Sequence, residues 1–155
     1  MTDGHLGLMN IWDWALEAYG RPGVPQACLA LQDEHGQNTC LLLWAVWAEA
    51  RDPDLLARAA ALTRTWEAEA IGPLRAVRRG LKAPAAGVPD GARERLLEDV
   101  KAVELHAERV LLEALADLGG RFGGAPALQA LEAASAAWGT AASREALAAL
   151  AAALE

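Results

Sequence analysis

The strongest constraint on the fold is an apolar run, Cys40 to Ala48, that carries no charged side chain. If this run is helical, apolar residues fall on every side of the helix, and such a helix is normally covered by neighbours all round. Asn38 can cap it, because its side chain can accept a hydrogen bond from a free N–H of the first turn. We therefore predict a central buried helix from Thr39 to about Arg51.

Capping and breaking residues divide the rest of the chain into further helices. We predict a first helix between Asn10 and Gly20 and a second that ends at about His35. A fourth runs from Pro53 to Lys82, and Gly72-Pro73 should kink or break it because proline removes a backbone hydrogen bond. A long fifth helix starts at Asp90. Its predicted inner face contains Leu96, Leu97, Val100, Val103, Ala107, Val110, Leu111 and Leu118.

The inner faces of the first two helices follow from helical periodicity. On the first helix, Trp12 and Tyr19 fall outside that face, so Trp12 has a second surface to cover. The predicted inner residues of the two helices are Ile11, Trp14, Ala15, Ala18, Val24, Cys28 and Leu31.

The composition changes after the fifth helix. Residues 121–155 are Ala-rich and predict two short helices with small apolar side chains. We expect a helical core domain over 1–120 and a C-terminal extension over 121–155, either packed on the same domain or partly mobile. The predicted fold class is all-α. It is a compact bundle of about five core helices plus two short Ala-rich C-terminal helices.

Charge and motifs narrow the function classes. The net charge of −7 disfavours nucleic-acid binding, because phosphate backbones repel an acidic surface. The apolar run is far shorter than the roughly 20 residues that a membrane span requires. The start, MTDGHLGLMN, lacks the basic and apolar regions of a signal peptide, so we expect a cytoplasmic protein. The chain has no GxxxxGK[ST], GxGxxG, HExxH or GxSxG motif, and we predict no cofactor, metal or catalytic residue.

Charged residues fall on the apolar sides of two predicted helices. At about 100° per residue, Glu104 and Glu108 lie toward the inner face of the fifth helix, and Arg75 and Arg78 lie toward the matching face of the fourth. A buried carboxylate needs a partner. Two interpretations are open: an ion pair that fixes helix register, or the polar floor of a ligand pocket. A strip that includes these arginines can also bind a small anion.

The turn before the central helix carries a second candidate set, which comprises Gln32, Asp33, His35, Asn38 and Cys40. Capping and turn formation account for residues of these types. The alternative is a ligand site in which His35, beside a carboxylate, acts as a base. Nearby Cys28 and Cys40 lie on apolar faces, where thiols usually pack as small hydrophobic groups.

Five segments of the chain form a recognisable pattern: Trp12-x-Trp14 with Tyr19, Pro22-Gly23-Val24, CLALQDEHGQNTCLLLW, PLRAVRRGLK and VELHAER. Together they resemble the DUF2390 family, which comprises small proteobacterial proteins of unassigned function. The family pattern has Asp-Val-Asn where this chain has Asn38-Thr39-Cys40. The resemblance covers about Trp12 to Leu118 and implies a cytoplasmic bacterial helical protein, with no catalytic residues to transfer.

We expect a non-catalytic binding or adaptor protein. An exposed apolar patch rimmed by Trp12 and the arginines of the fourth helix would support this expectation. The first alternative is a small-molecule-binding protein or enzyme with a polar pocket between the central, fourth and fifth helices, for which a closed cavity would be evidence. The second is a structural homo-oligomer subunit. Expected partners are a protein, a small anionic ligand, or a second copy in a homodimer.

Overall fold

A computed structural model describes residues 9–155, and within that range the regular structure is helical with no β-strand. The predicted all-α bundle is therefore confirmed. Residues 1–8, which carry part of the expectation about a signal peptide, lie outside the described range. The helices are α1 Ile11–Tyr19, α2 Val24–His35, α3 Thr39–Ala48, α4 Pro53–Trp66, a π-helical segment Glu67–Ile71, α5 Gly72–Gly80, α6 Asp90–Ala116, α7 Ala127–Trp138 and α8 Arg144–Ala153.

Helix α3 lies at the centre of the molecule and contacts α1, α2, α4, α6 and α7. Its Trp44 side chain is fully buried. The Asn38 side chain caps the helix by accepting a hydrogen bond of 3.0 Å from the N–H of Leu41. The helix ends at Ala48, earlier than predicted, because Glu49 adopts a left-handed conformation with φ 53°. Neighbours on all sides are what its sequence demands.

The inner faces of α1 and α2 largely match the predicted period. Trp14 is the exception, because it is only half-buried. The other predicted inner residues are all buried: Ile11, Ala15, Ala18, Val24, Cys28 and Leu31.

The interruption predicted at Gly72-Pro73 takes the form of the π-helical segment between α4 and α5. The N–H of Gly72 donates to the carbonyl of Glu67, five residues earlier, and the chain then continues as helix through Pro73. A Cβ atom on Gly72 would lie 2.8 Å from that carbonyl oxygen. The wider turn thus requires glycine at its end.

The C-terminal helices pack on the same core. Helix α7 contacts α3 and α4, and α8 contacts α2 and α7. Leu131, Leu147 and Leu150 are buried. The hydroxyl of Ser135 donates to Gln37 at 2.8 Å and accepts a hydrogen bond of 2.8 Å from the N–H of Ala142. The small side chains of this segment allow close approach to α3 and contribute directly to its burial.

The face predicted for α6 is wrong at Val110, which is 39% exposed, and over the N-terminal half of the helix, where Leu96 and Val103 are about half exposed. There, Arg93 donates to the Leu81 carbonyl at 2.7 Å and Glu104 pairs with Arg78, so α6 is in contact with the α5 region. A helix with few neighbours buries only a narrow strip. The broad apolar face becomes buried only further along, at Ala107, Leu111, Leu112 and Leu115. Among the described residues, no helix is long and apolar enough to cross a membrane.

Replacing Gly72 by alanine should lower the free energy of unfolding by about 1–3 kcal/mol, because the new Cβ would collide with the Glu67 carbonyl. Gly80 is the matched control: nothing lies within 4 Å of an added Cβ there. Gly80→Ala should therefore raise stability by about 0.5–1 kcal/mol. Urea denaturation measures both effects, and a Gly72→Ala protein as stable as the wild type would contradict the role assigned to this turn.

Candidate functional site

Glu104 forms the centre of a charged cluster between α5 and α6, and its side chain is buried. Its carboxylate accepts a hydrogen bond from Arg78 Nε at 2.5 Å. Arg75 Nε lies 3.8 Å from the other carboxylate oxygen, and Arg75 also lies 3.8 Å from Glu67. The pairing that helical periodicity indicated is thus present in the structure. It joins the segment after the π-helical turn to the middle of α6.

Glu108 lies one turn further along α6 and has a different environment. Arg75 and Arg78 form their ion pairs with Glu104 and Glu67, and neither forms one with Glu108. Burial raises the pKa of the Glu108 carboxyl, and repulsion from Glu104 raises it further, while the two arginines partly offset this. Ionisation of Glu108 is therefore costly in the free protein.

Glu108 and Gln32 line three adjoining cavities. The first, about 10 Å³, is lined mostly by polar residues that include Asn38 and Arg75, and has room for about one water. The second, about 200 Å³, is mainly apolar. The third, about 390 Å³, is open and includes Arg78. We call the second cavity the apolar groove and the third its charged end. The walls of the apolar groove include Trp12, Ala15, Leu16, Tyr19, Leu43, Leu105 and Leu112.

Helix α1 supplies one wall of the apolar groove. Trp12, Leu16 and Tyr19 recur at intervals of three or four residues and so share a face. This face is distinct from the inner face of α1 and explains why Trp12 and Tyr19 lie off the core stripe. Across the groove, α6 contributes Leu105, and the Arg109 guanidinium lies 5.3 Å from the Trp12 ring centre. Helix α3 contributes Leu43.

Only some residues of the turn before α3 line these cavities. Asp33 is exposed and His35 half-buried, and neither lines any of the three cavities. Gln32 lines all three cavities instead, because it continues the inner stripe of α2. Asn38 lines the small polar cavity, and its side-chain amide donates to Glu67 at 3.4 Å. The predicted residues that the structure brings together are Asn38, Arg75, Arg78, Glu104 and Glu108.

The two cysteines are buried, as their positions on apolar faces predict. Burial raises the pKa of the Cys28 thiol to about 12 and that of the Cys40 thiol still further. Cys40 lies beside the apolar groove in its protonated form, which is a weak nucleophile. Within residues 9–155, no group of three His, Cys, Asp or Glu side chains is arranged to hold a metal ion.

The family model of DUF2390, described as a protein of unknown function, matches residues 10–115. The chain belongs to this family. The match spans α1 to nearly the end of α6 and so includes every residue that lines the apolar groove and its charged end. It does not include α7 and α8. No curated protein and no solved structure matches the chain.

Replacing Glu104 by alanine should lower the free energy of unfolding by about 2–4 kcal/mol. Removal of one partner from a buried ion pair typically costs about 3–5 kcal/mol, and Arg75 and Arg78 retain about one-fifth of their side-chain exposure, which moderates the loss. Glu98→Ala is the control. The ion pair between Glu98 and Lys101 is exposed, so its loss should change the free energy of unfolding by less than about 0.5 kcal/mol. Equal effects of both changes in urea denaturation would contradict the structural role of Glu104.

Replacing Glu108 by glutamine should stabilise the protein above pH 7 but not below pH of about 4. The pKa of the Glu108 carboxyl is higher in the folded protein than in the unfolded chain. The wild type therefore loses stability as the pH rises from the unfolded-state pKa through the folded-state pKa. Glutamine does not ionise, so the variant does not show this loss. Urea denaturation across this pH range tests the expectation, with the exposed Glu113→Gln as control. A Glu108→Gln gain that grows toward acidic pH would show that the sign is wrong.

Proposed function

We propose that this chain is a non-catalytic binding protein whose apolar groove takes an apolar segment of a partner protein. The main supporting observation is the exposure of the groove walls: Leu16 is 53%, Tyr19 48% and Leu105 50% exposed. Three large apolar side chains on facing helices thus remain in contact with water around one concavity. Covering them is favourable, and clustered exposure of this kind is typical of interaction sites.

The size of the groove favours side chains of a partner over a whole small molecule. Sites for small molecules usually enclose roughly 300–1,000 Å³, whereas the apolar groove has about 200 Å³. This volume suits one or two apolar anchor residues. The larger charged end is open, and the small polar cavity lined by Asn38 and Arg75 has room for about one water. The alternative of a small-molecule-binding protein or enzyme therefore has weaker support.

The walls of the groove suit an amphipathic helix as the bound segment. Helices α1 and α6 form the sides and α3 lies between them, an arrangement that accepts apolar side chains repeated at helical spacing. Each fully buried anchor contributes about 1.5–3 kcal/mol from the removal of apolar surface from water. Two anchors must also offset the loss of freedom on association. We therefore expect a reversible, moderate-affinity contact.

A photo-reactive benzoylphenylalanine in place of Leu16 tests this function in cells of the source organism. On irradiation it should give a discrete protein adduct, because the partner covers the groove. The same group in place of Leu96, which is equally exposed but lies outside the groove, is the control. Leu105→Glu should remove the adduct formed at position 16. No adduct, or one adduct common to both positions and insensitive to Leu105→Glu, would contradict the proposal.

A further inference from the structure

We infer that the segment bound in the apolar groove carries a lysine or arginine whose charged group pairs with Glu108. This inference rests on the proposed function and specifies the chemistry of its partner. Glu108 lines both the apolar groove and its charged end, together with Tyr19, Gln32 and Leu105. Any segment that fills the groove and extends toward the charged end must pass this carboxylate.

The internal pairing of the cluster leaves Glu108 as the carboxylate that a partner can use. Glu104 holds Arg78 at 2.5 Å, and Arg75 lies at 3.8 Å from both Glu104 and Glu67. The two arginines near Glu108 thus already have acidic partners. The charged and titratable side chains that act on Glu108 or feel its charge are Tyr19 from α1, Cys40 from α3, Arg75 and Arg78 from α5, and Glu104 from α6.

The groove matches the shape of a basic side chain. Lysine and arginine combine a long apolar stem with a charged end, and here apolar walls lead to a single half-buried carboxylate. The Tyr19 ring beside it adds an aromatic surface that favours cations. The charged end is also lined by three cations, which already have acidic partners: the two arginines pair with Glu104, and Lys101 pairs with Glu98 at 3.2 Å. The net charge of −7 also favours the approach of a basic segment.

The spacing of the groove residues sets the register of the partner. Leu112, at the apolar end, and Glu108 are one helical turn apart on α6, which is about 6 Å along the axis. A helix lying along α6 should therefore place its apolar anchor three or four residues from its basic residue.

Selection from a random displayed library of 12-residue peptides tests the inference on the full chain. The wild type should enrich peptides with apolar anchors and a lysine or arginine three or four residues away. Glu108→Lys should enrich aspartate or glutamate at that place instead, and Glu108→Gln, a milder change, should remove the charge preference. Exchanging the basic residue of a selected peptide for glutamate should weaken binding to the wild type by about tenfold or more.

The outcomes separate the two proposals. If the wild type enriches no peptide beyond what a Leu16→Glu variant enriches, the groove is not a peptide site and the proposed function fails. If peptides are enriched through apolar anchors but show no basic preference that depends on Glu108, the groove binds as proposed and the pairing with Glu108 is wrong. Charge reversal by Glu108→Lys, with loss of preference in Glu108→Gln, is the result that the inference requires.

Discussion

Burial of α3 on every side is the constraint on which the rest of the structure depends. A helix with leucine, valine and tryptophan all round its surface cannot leave one face in water, so it needs a neighbour in each direction. Helices α1, α2, α4, α6 and α7 supply these neighbours. The Ala-rich α7 serves as one of them because its small side chains permit close packing against α3. The groove is lined by residues of α1, α3 and α6, together with Gln32 of α2.

The polar features of the molecule follow from the way α5 approaches α6. The π-helical segment absorbs the irregularity at Gly72-Pro73 without ending the helix, and Arg75 and Arg78 follow within two turns. Their pairing with Glu104 satisfies the most buried carboxylate of α6. Glu108, which receives no such pair, is left at the edge of the groove. In the function proposed here, Glu104 contributes to stability, and Glu108, one turn further along α6, is available to a bound segment.

Periodicity was sufficient to predict much of this arrangement. It identified α3 as the central helix, the inner stripes of α1 and α2, and the pairing of Glu104 with arginine on the preceding helix. It failed for the N-terminal half of α6, because the sequence does not show how many neighbours a helix has, and Leu96 therefore looked buried. Of the α2 residues in the second candidate set, Gln32 lines the groove, whereas Asp33 and His35 do not.

The groove itself could not be read from any single segment. Its walls come from different helices. Whether these walls lie close together depends on the angles at which the helices cross, which local sequence does not encode. A partial signal was present in Trp12, Leu16 and Tyr19, which share a second apolar face on α1. A short helix with two apolar faces must contact two surfaces, or leave one of them free for a partner.

The most direct test of a preformed apolar groove is a crystal structure determined in the presence of 2-propanol, because its isopropyl group binds in exposed apolar concavities. The account predicts that alcohol molecules occupy the space between Leu16 and Leu105, with their hydroxyl groups toward Glu108. A groove closed by its own side chains, or alcohol bound elsewhere while the groove stays occupied only by water, would contradict it.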